Sequence, residues 1–358
     1  MSTDSDFIEP IEITEDIQSE SINNSESTTV EKTNLPIVGP ILERLNREEK
    51  VAEREEKREE DDILPAPQFT KFQLSRYEDT PKFLRRPFIM DHYRVHFSYN
   101  LCFASLFKLH NETWNVWTHL IGALIFFLLL IHTIIIFSVG YGTGDFRAGD
   151  LFVMVVYCIL ALNCFLSSAC YHLFGCHSAK TWHTCYKCDL SAISGLIGGS
   201  FIPALYYNLY CDFAFQIFYI VMICALALLG MSFPFVPMSG NEKYTRIFRT
   251  IRTTLFVCIV LSAVIPIFHW LVFLLPGHGA GFGVENIIFL CGMLLMLSLY
   301  LIGLFFWLTR IPERLLPGYF DIWFSSHQIW HILIVAAACV WYAFMVRLYR
   351  WKISNQFK

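Results

Sequence analysis

Two histidines four residues apart, His327 and His331 in "FSSHQIWHIL", stand where a long apolar run begins. In a helix that spacing puts both imidazoles on one face. Ser168 and His172 in "SSACYH" repeat the spacing at the end of another apolar run, and Asp189 opens a third. Ionisable groups in apolar helices are costly and by default mark a functional site facing the interior of a bundle. Three histidines and a carboxylate match zinc held by three nitrogens with a fourth position open, the donor set of hydrolytic rather than closed structural zinc. Zinc brings the pKa of its bound water to about 7. Asp189 would then be a fourth ligand through that water or the base that takes its proton, and Ser168 would hydrogen-bond the water or a substrate carbonyl. Two simpler roles suit the same spacing: an anchor at a membrane boundary, or a hydrogen-bonded link between helices.

A competing metal motif is "CHSAKTWHTCYKC", in which Cys176, His177, His183, Cys185 and Cys188 could form a zinc knuckle. One C-x-x-C without a second pair is a weak signature, and cysteines beside a membrane are as readily free or palmitoylated. His269, next to Pro266 in "IPIFHW", lies too far along its run to join the other histidines and is expected to pack between helices. His119 and His132 lack a partner at helical spacing and are expected to bond to neighbouring helices.

The elements that must carry these residues are membrane helices. Hydrophobic residues make up 55% of the 358, aromatics 16% and charged residues only 16%, which excludes an ordinary soluble domain. Seven runs are long enough to span a bilayer, at about 116–139, 149–174, 188–208, 213–237, 252–275, 286–308 and 323–346. The third is the weakest, because it holds Asp189, Gly195, Gly198, Gly199 and Pro203. The expected fold class is an all-α membrane protein, a seven-transmembrane helix bundle. The first 30 residues are acidic and lack an apolar core, so no cleaved leader is expected and the first span should act as the insertion signal.

Charge is split along the chain. Residues 1–62 hold 19 of the 31 acids and 7 of the 27 Lys plus Arg, and have too little apolar surface to offset the entropy of ordering them. A disordered acidic cytosolic tail is expected there, its charged part at most a solvated or partner-binding helix. A juxtamembrane segment follows at 63–115, then the membrane domain at 116–346 and a short tail at 347–358. Beyond residue 62, 15 Lys or Arg fall on the N-terminal side of the seven spans and five on the other. The N-terminus is therefore expected in the cytosol and the C-terminus outside or in a lumen, opposite to a G-protein-coupled receptor. The sequon at Asn111 would then stay unmodified. His172, Asp189, His327 and His331 would share one depth, in the cytosolic half.

The segments "SSACYH", "KCDLSAISG", "RIPERLLPGYFDIWFSSHQIWH" and "HNETWNVWTHLIG" together resemble the progestin and adipoQ receptor (PAQR) family, which includes the adiponectin receptors, over about residues 75–346. The resemblance implies a seven-helix fold with a cytosolic N-terminus and zinc in the inner leaflet. It implies His172, His327 and His331 as ligands, Asp189 holding the zinc-bound water, and Ser168 as the serine of an S-x-x-x-H motif. "DIWFSSHQIWHILIVAAA" is similar to the adiponectin receptors, whereas "DHYRVH", "LCFASLFKLHNETWNVW" and "YHLFGCHS" are more similar to the Golgi-resident branch that tethers Raf kinase. A Golgi membrane is therefore expected over the plasma membrane, with residues 63–110 as the surface for a kinase or trafficking partner. Membrane lipids such as ceramide or a fatty acid are the expected small partners. No nucleic-acid partner is expected, and a homo-oligomer is compatible with this reading. Two functions follow from the resemblance: a signalling receptor or regulator braced by zinc, or a ceramidase-like hydrolase in which zinc-bound hydroxide attacks a lipid amide.

Overall fold

A helix satisfies its own backbone hydrogen bonds, so apolar runs of about 20 residues cross a bilayer as helices joined by loops. The computed structural model describes residues 69, 71–142, 147–236, 242–274 and 283–355. Among them, seven helices are long and apolar enough to span a membrane. They are α1 (Thr113–Gly142), α2 (Ala148–Phe174), α3 (Ala179–Asn208), α4 (Phe213–Ser232), α5 (Glu242–Ser262), α6 (Val284–Thr309) and α7 (Ser326–Asn355). A turn at Val264–His269 and a wider one at Trp270–Leu274 continue α5. Pro266, which lacks an N–H for the helical ladder, sits in that irregular stretch. The acidic tail expected at 1–62 lies outside the described residues.

All seven expected runs are helices, with three shifted bounds: α3 starts at Ala179 rather than near residue 188, α5 starts at Glu242 rather than near 252, and α7 runs on to Asn355 through part of the expected C-terminal tail. The glycines of α3, a weakness for a lone helix, let neighbours approach. A Cβ on Gly198 would lie 2.5 Å from the Ala227 side chain of α4, and one on Gly199 would lie 2.8 Å from Leu160 of α2. Small residues at such crossings are how membrane helices gain packing without a hydrophobic driving force between them.

α2 packs between α1 and α3, and α7 lies against α6, α1 and α3. Polar ties pin α7 within this core. Tyr157 of α2 donates to the Ala338 carbonyl at 2.8 Å, and Trp341 Nε1 donates to the Ser200 carbonyl of α3 at 2.8 Å. His132 and Thr133 of α1 meet the Tyr342 hydroxyl at 2.9 and 2.8 Å.

The segment before α1 folds against the end of the bundle where α2 finishes and α7 starts. Ser75 and Tyr93 exchange backbone hydrogen bonds, and a short helix, Tyr99–Ser105, is capped by the Ser98 hydroxyl. Arg94 is buried. Its guanidinium donates to the carbonyls of His172 (2.6 Å) and Leu173 (3.2 Å) and to the Ser105 hydroxyl (2.7 Å), so one cation clamps this segment onto the last turn of α2. On the other side, the Asp321 carboxylate accepts from Met90 N at 3.0 Å.

Candidate metal centre

The helix starts and stops place the histidines. α7 begins at Ser326, where the buried Glu313 carboxylate accepts from the Ser326 amide at 2.7 Å and from its hydroxyl, satisfying one amide that the first turn leaves unpaired. Gln328 Nε2 donates to the Ile322 carbonyl at 2.9 Å. His327 and His331 follow on successive turns. His172 stands in the last turn of α2, held by Arg94 as above.

His172, His327 and His331 come together, each offering a nitrogen within 4.8 Å of the others, and no other such group exists among the described residues. Nε2 of His172 lies 3.3 Å from Nε2 of His327. Two nitrogens each about 2.0–2.1 Å from one tetrahedral zinc ion would be roughly 3.3–3.4 Å apart, so the spacing fits that ion.

The protonation pattern fits as well. Nδ1 of His172 donates to Glu112 Oε2 at 2.8 Å, and Nδ1 of His331 donates to the Asn115 carbonyl at 3.2 Å, with the Thr118 hydroxyl 3.3 Å away. With a carboxylate and a carbonyl as their partners, both Nδ1 atoms are donors, which in a neutral imidazole leaves Nε2 as the ligand nitrogen; on His172 that Nε2 faces His327, the arrangement by which metal-binding histidines are oriented.

Glu112 is itself positioned. Asn115 Nδ2 donates to it at 2.5 Å and the Arg86 guanidinium lies 3.5 Å away, while Arg86 also donates to the Tyr171 hydroxyl at 3.0 Å. Burial opposes a charge on Glu112. The neighbouring His172, Arg86 and Asn115 outweigh it and hold the carboxyl well below the usual range.

Asp189 of α3 lies beside the Ser168 side chain and within electrostatic reach of His172, but it does not join the three-nitrogen group. Ser168 is buried one turn before His172. The competing knuckle does not form: His183, Cys185 and Cys188 lie on α3, Cys176 pairs with Cys102 and His177 stacks on Tyr99. His269 bonds to the Tyr219 hydroxyl of α4 at 3.0 Å, in keeping with a packing role. His132 reaches α7 as expected. His119 differs: its nitrogens have no hydrogen-bond partner among the described residues, and its ring stacks on His331 at 3.6 Å.

The sequence profile of the haemolysin-III-related family matches residues 107–342, which include every residue of this site except Arg86 and Arg94. The chain is 33% identical over 274 residues to the adiponectin receptor protein of Drosophila melanogaster, covering 76% of this chain and 58% of that protein. It is 33% identical over 290 residues to progestin and adipoQ receptor family member 3 of Homo sapiens, covering 79% and 88%. This chain belongs to the PAQR family. A third relative, heptahelical transmembrane protein 1 of Arabidopsis thaliana, is 32% identical over 284 residues, covering 78% and 82%. The chain thus spans less than two thirds of the fly relative and most of the human and plant ones. As a PAQR protein it is a multi-pass membrane protein with seven spanning helices.

Glu112, Asn115, Arg86 and Arg94 belong to the surroundings of the three histidines as well, although the histidine spacing in the sequence does not single them out. The available signal was in "HNETWNVWTH", where Glu112, Asn115 and His119 recur at helical spacing at the mouth of an apolar run. Asn111 in the same stretch is buried, and its backbone N–H donates to the His92 carbonyl at 3.0 Å.

Proposed function

We propose that this protein is a seven-helix signalling receptor or regulator in which zinc, held by His172, His327 and His331, ties α2 to α7. The observation that carries the reading is the inward-facing Nε2 of His172, 3.3 Å from that of His327 while its Nδ1 is committed to Glu112. Bound zinc would supply a dication that satisfies three imidazole lone pairs at once and a Lewis-acidic fourth position. The chain's own residues do the rest. Glu112 and the Asn115 carbonyl orient the rings, and Arg94 fixes the His172 turn to the segment before α1. The excess of Lys and Arg on the N-terminal side supports a cytosolic N-terminus, with the site in the cytosolic half. On that topology residues 63–110 face the cytosol. They are the surface we assign to a kinase or trafficking partner on Golgi membranes, with lipid metabolism as the process regulated.

Asp189 and Ser168 adjoin His172 without joining the nitrogen group, and in this reading they are polar neighbours of the fourth position. In the alternative, ceramidase-like hydrolysis of a lipid amide, they would move the proton. Zinc content of the folded, detergent-purified chain tests both readings. About one zinc per chain in the wild type, lost in His327→Ala and kept in Asp189→Ala, supports the centre. Ceramide turnover by the wild type that disappears in zinc-loaded Asp189→Ala would replace the regulator reading with the enzyme. Wild-type protein that is folded and free of zinc overturns both.

A further inference from the structure

Cys102 and Cys176 take no part in the histidine centre, yet they form a built pair. Cys102 lies in the Tyr99–Ser105 helix and Cys176 just past the end of α2, with their sulfurs 3.6 Å apart beneath Phe97. Both are free thiols and both are buried. Their access differs. Cys176 lines a small half-open cavity with Arg86, Arg94, Glu112, His172 and Trp182, whereas Cys102 forms none of its wall.

The surroundings also divide the chemistry between them. The hydrogen bond to Cys176, reinforced by burial, pushes the Cys102 thiol up. That same bond, helped by the Arg94 charge and against burial, pulls Cys176 down. A sulfur on a cavity wall beside a buried cation, with a second thiol in contact that can resolve it, is the arrangement of redox-sensing cysteines.

We propose that Cys176 and Cys102 are a redox latch, in which a hydroperoxide entering the cavity oxidises Cys176 and Cys102 closes a disulfide that fixes the Tyr99–Ser105 helix to the end of α2. The Cys176 sulfur attacks one peroxide oxygen and the O–O bond breaks. The departing oxygen takes a proton and leaves as an alcohol, or as water from hydrogen peroxide, and Cys176 becomes a sulfenic acid. The Cys102 sulfur then displaces that hydroxyl, which leaves as water with the Cys102 proton. One peroxide is reduced by two electrons and two thiols are oxidised to one disulfide. Exchange with an external dithiol reverses it. The bond would span the gap that Arg94 already bridges between Ser105 and the His172 carbonyl.

The test is a hydrogen peroxide titration of the full-length chain in lipid nanodiscs, read by non-reducing peptide mass spectrometry and hydrogen exchange. The expected result is loss of two thiols per chain as a single Cys102–Cys176 cross-link, formed before exposed Cys170 is oxidised. Dithiothreitol should reverse it, and amide exchange across residues 99–105 should slow while it is closed. Cys102→Ser should leave Cys176 as a sulfenic acid that dimedone traps. Oxidation of Cys170 while Cys102 and Cys176 stay as thiols overturns the proposal, as does a cross-link that leaves exchange at 99–105 unchanged. The wild-type cross-link needs no variant to fold, and it is read whether or not zinc is present.

Discussion

Glu112, the last residue before α1, accepts a hydrogen bond from Nδ1 of His172, the single histidine of α2, at 2.8 Å. That contact sets which nitrogen of His172 faces the other imidazoles. Removing such a carboxylate ordinarily weakens metal binding by about 10–100-fold. Glu112→Ala should therefore lose zinc to a competing chelator at correspondingly lower chelator concentration while its helical content is kept. Glu112→Gln, which retains one acceptor oxygen, should lose less. Equal affinity in all three proteins would mean that the α2 backbone alone orients His172.

His110 yields a pH prediction. It is buried and accepts from the Glu112 amide at 3.1 Å, and burial together with the nearby Arg94 charge pushes its pKa down from 6.5 to about 2. The unfolded chain takes up this proton below about 6.5 and the folded chain does not, so folding loses stability as pH falls from about 6.5 toward 2 and is unaffected above. The Tm of the purified protein should drop on acidification below that point. His110→Gln should show a shallower drop, and identical slopes would mean that His110 titrates alike in the folded and unfolded chain.

Gly292 of α6 faces the ring of Phe344 on α7, with no space for a Cβ between them. The obstacle is the body of an aromatic ring, so Gly292→Ala must push α6 from α7 or force the ring off its rotamer, at about 1–3 kcal/mol. A lower Tm with seven spans still inserted is expected. An unchanged Tm would show that the α6–α7 contact is slack.

Cys185 and Cys188 lie one turn apart on α3 and belong to no metal group among the described residues. The double change Cys185→Ser with Cys188→Ser should leave zinc per chain at the wild-type value. Loss of zinc in that protein would restore the knuckle as the metal site.

Much of this was legible from residue patterns. Seven apolar runs read directly as helices because a bilayer demands length and apolarity above all, and even α3, with Asp189, Gly198, Gly199 and Pro203, followed. His172, His327 and His331 were legible because an imidazole in an apolar helix stands out. Glu112 and Arg94 were not, since charged residues outside a span look like ordinary loop solvation until the fold brings them onto His172. The early start of α3 was hidden because Ala179–Lys187 is polar enough to read as loop, and helix continues there with tertiary support from Trp182 on Tyr171 and Phe83. His119 was expected to bond a neighbour. Its stacking on His331 depends on how closely α1 and α7 approach, which no spacing in α1 encodes.

The most direct test of the proposed zinc centre is X-ray absorption at the zinc edge of the purified full-length protein. One zinc per chain with three imidazole nitrogens at about 2.0–2.1 Å and no sulfur is expected. Sulfur ligation at about 2.3 Å, or a folded chain that carries no zinc, would contradict it.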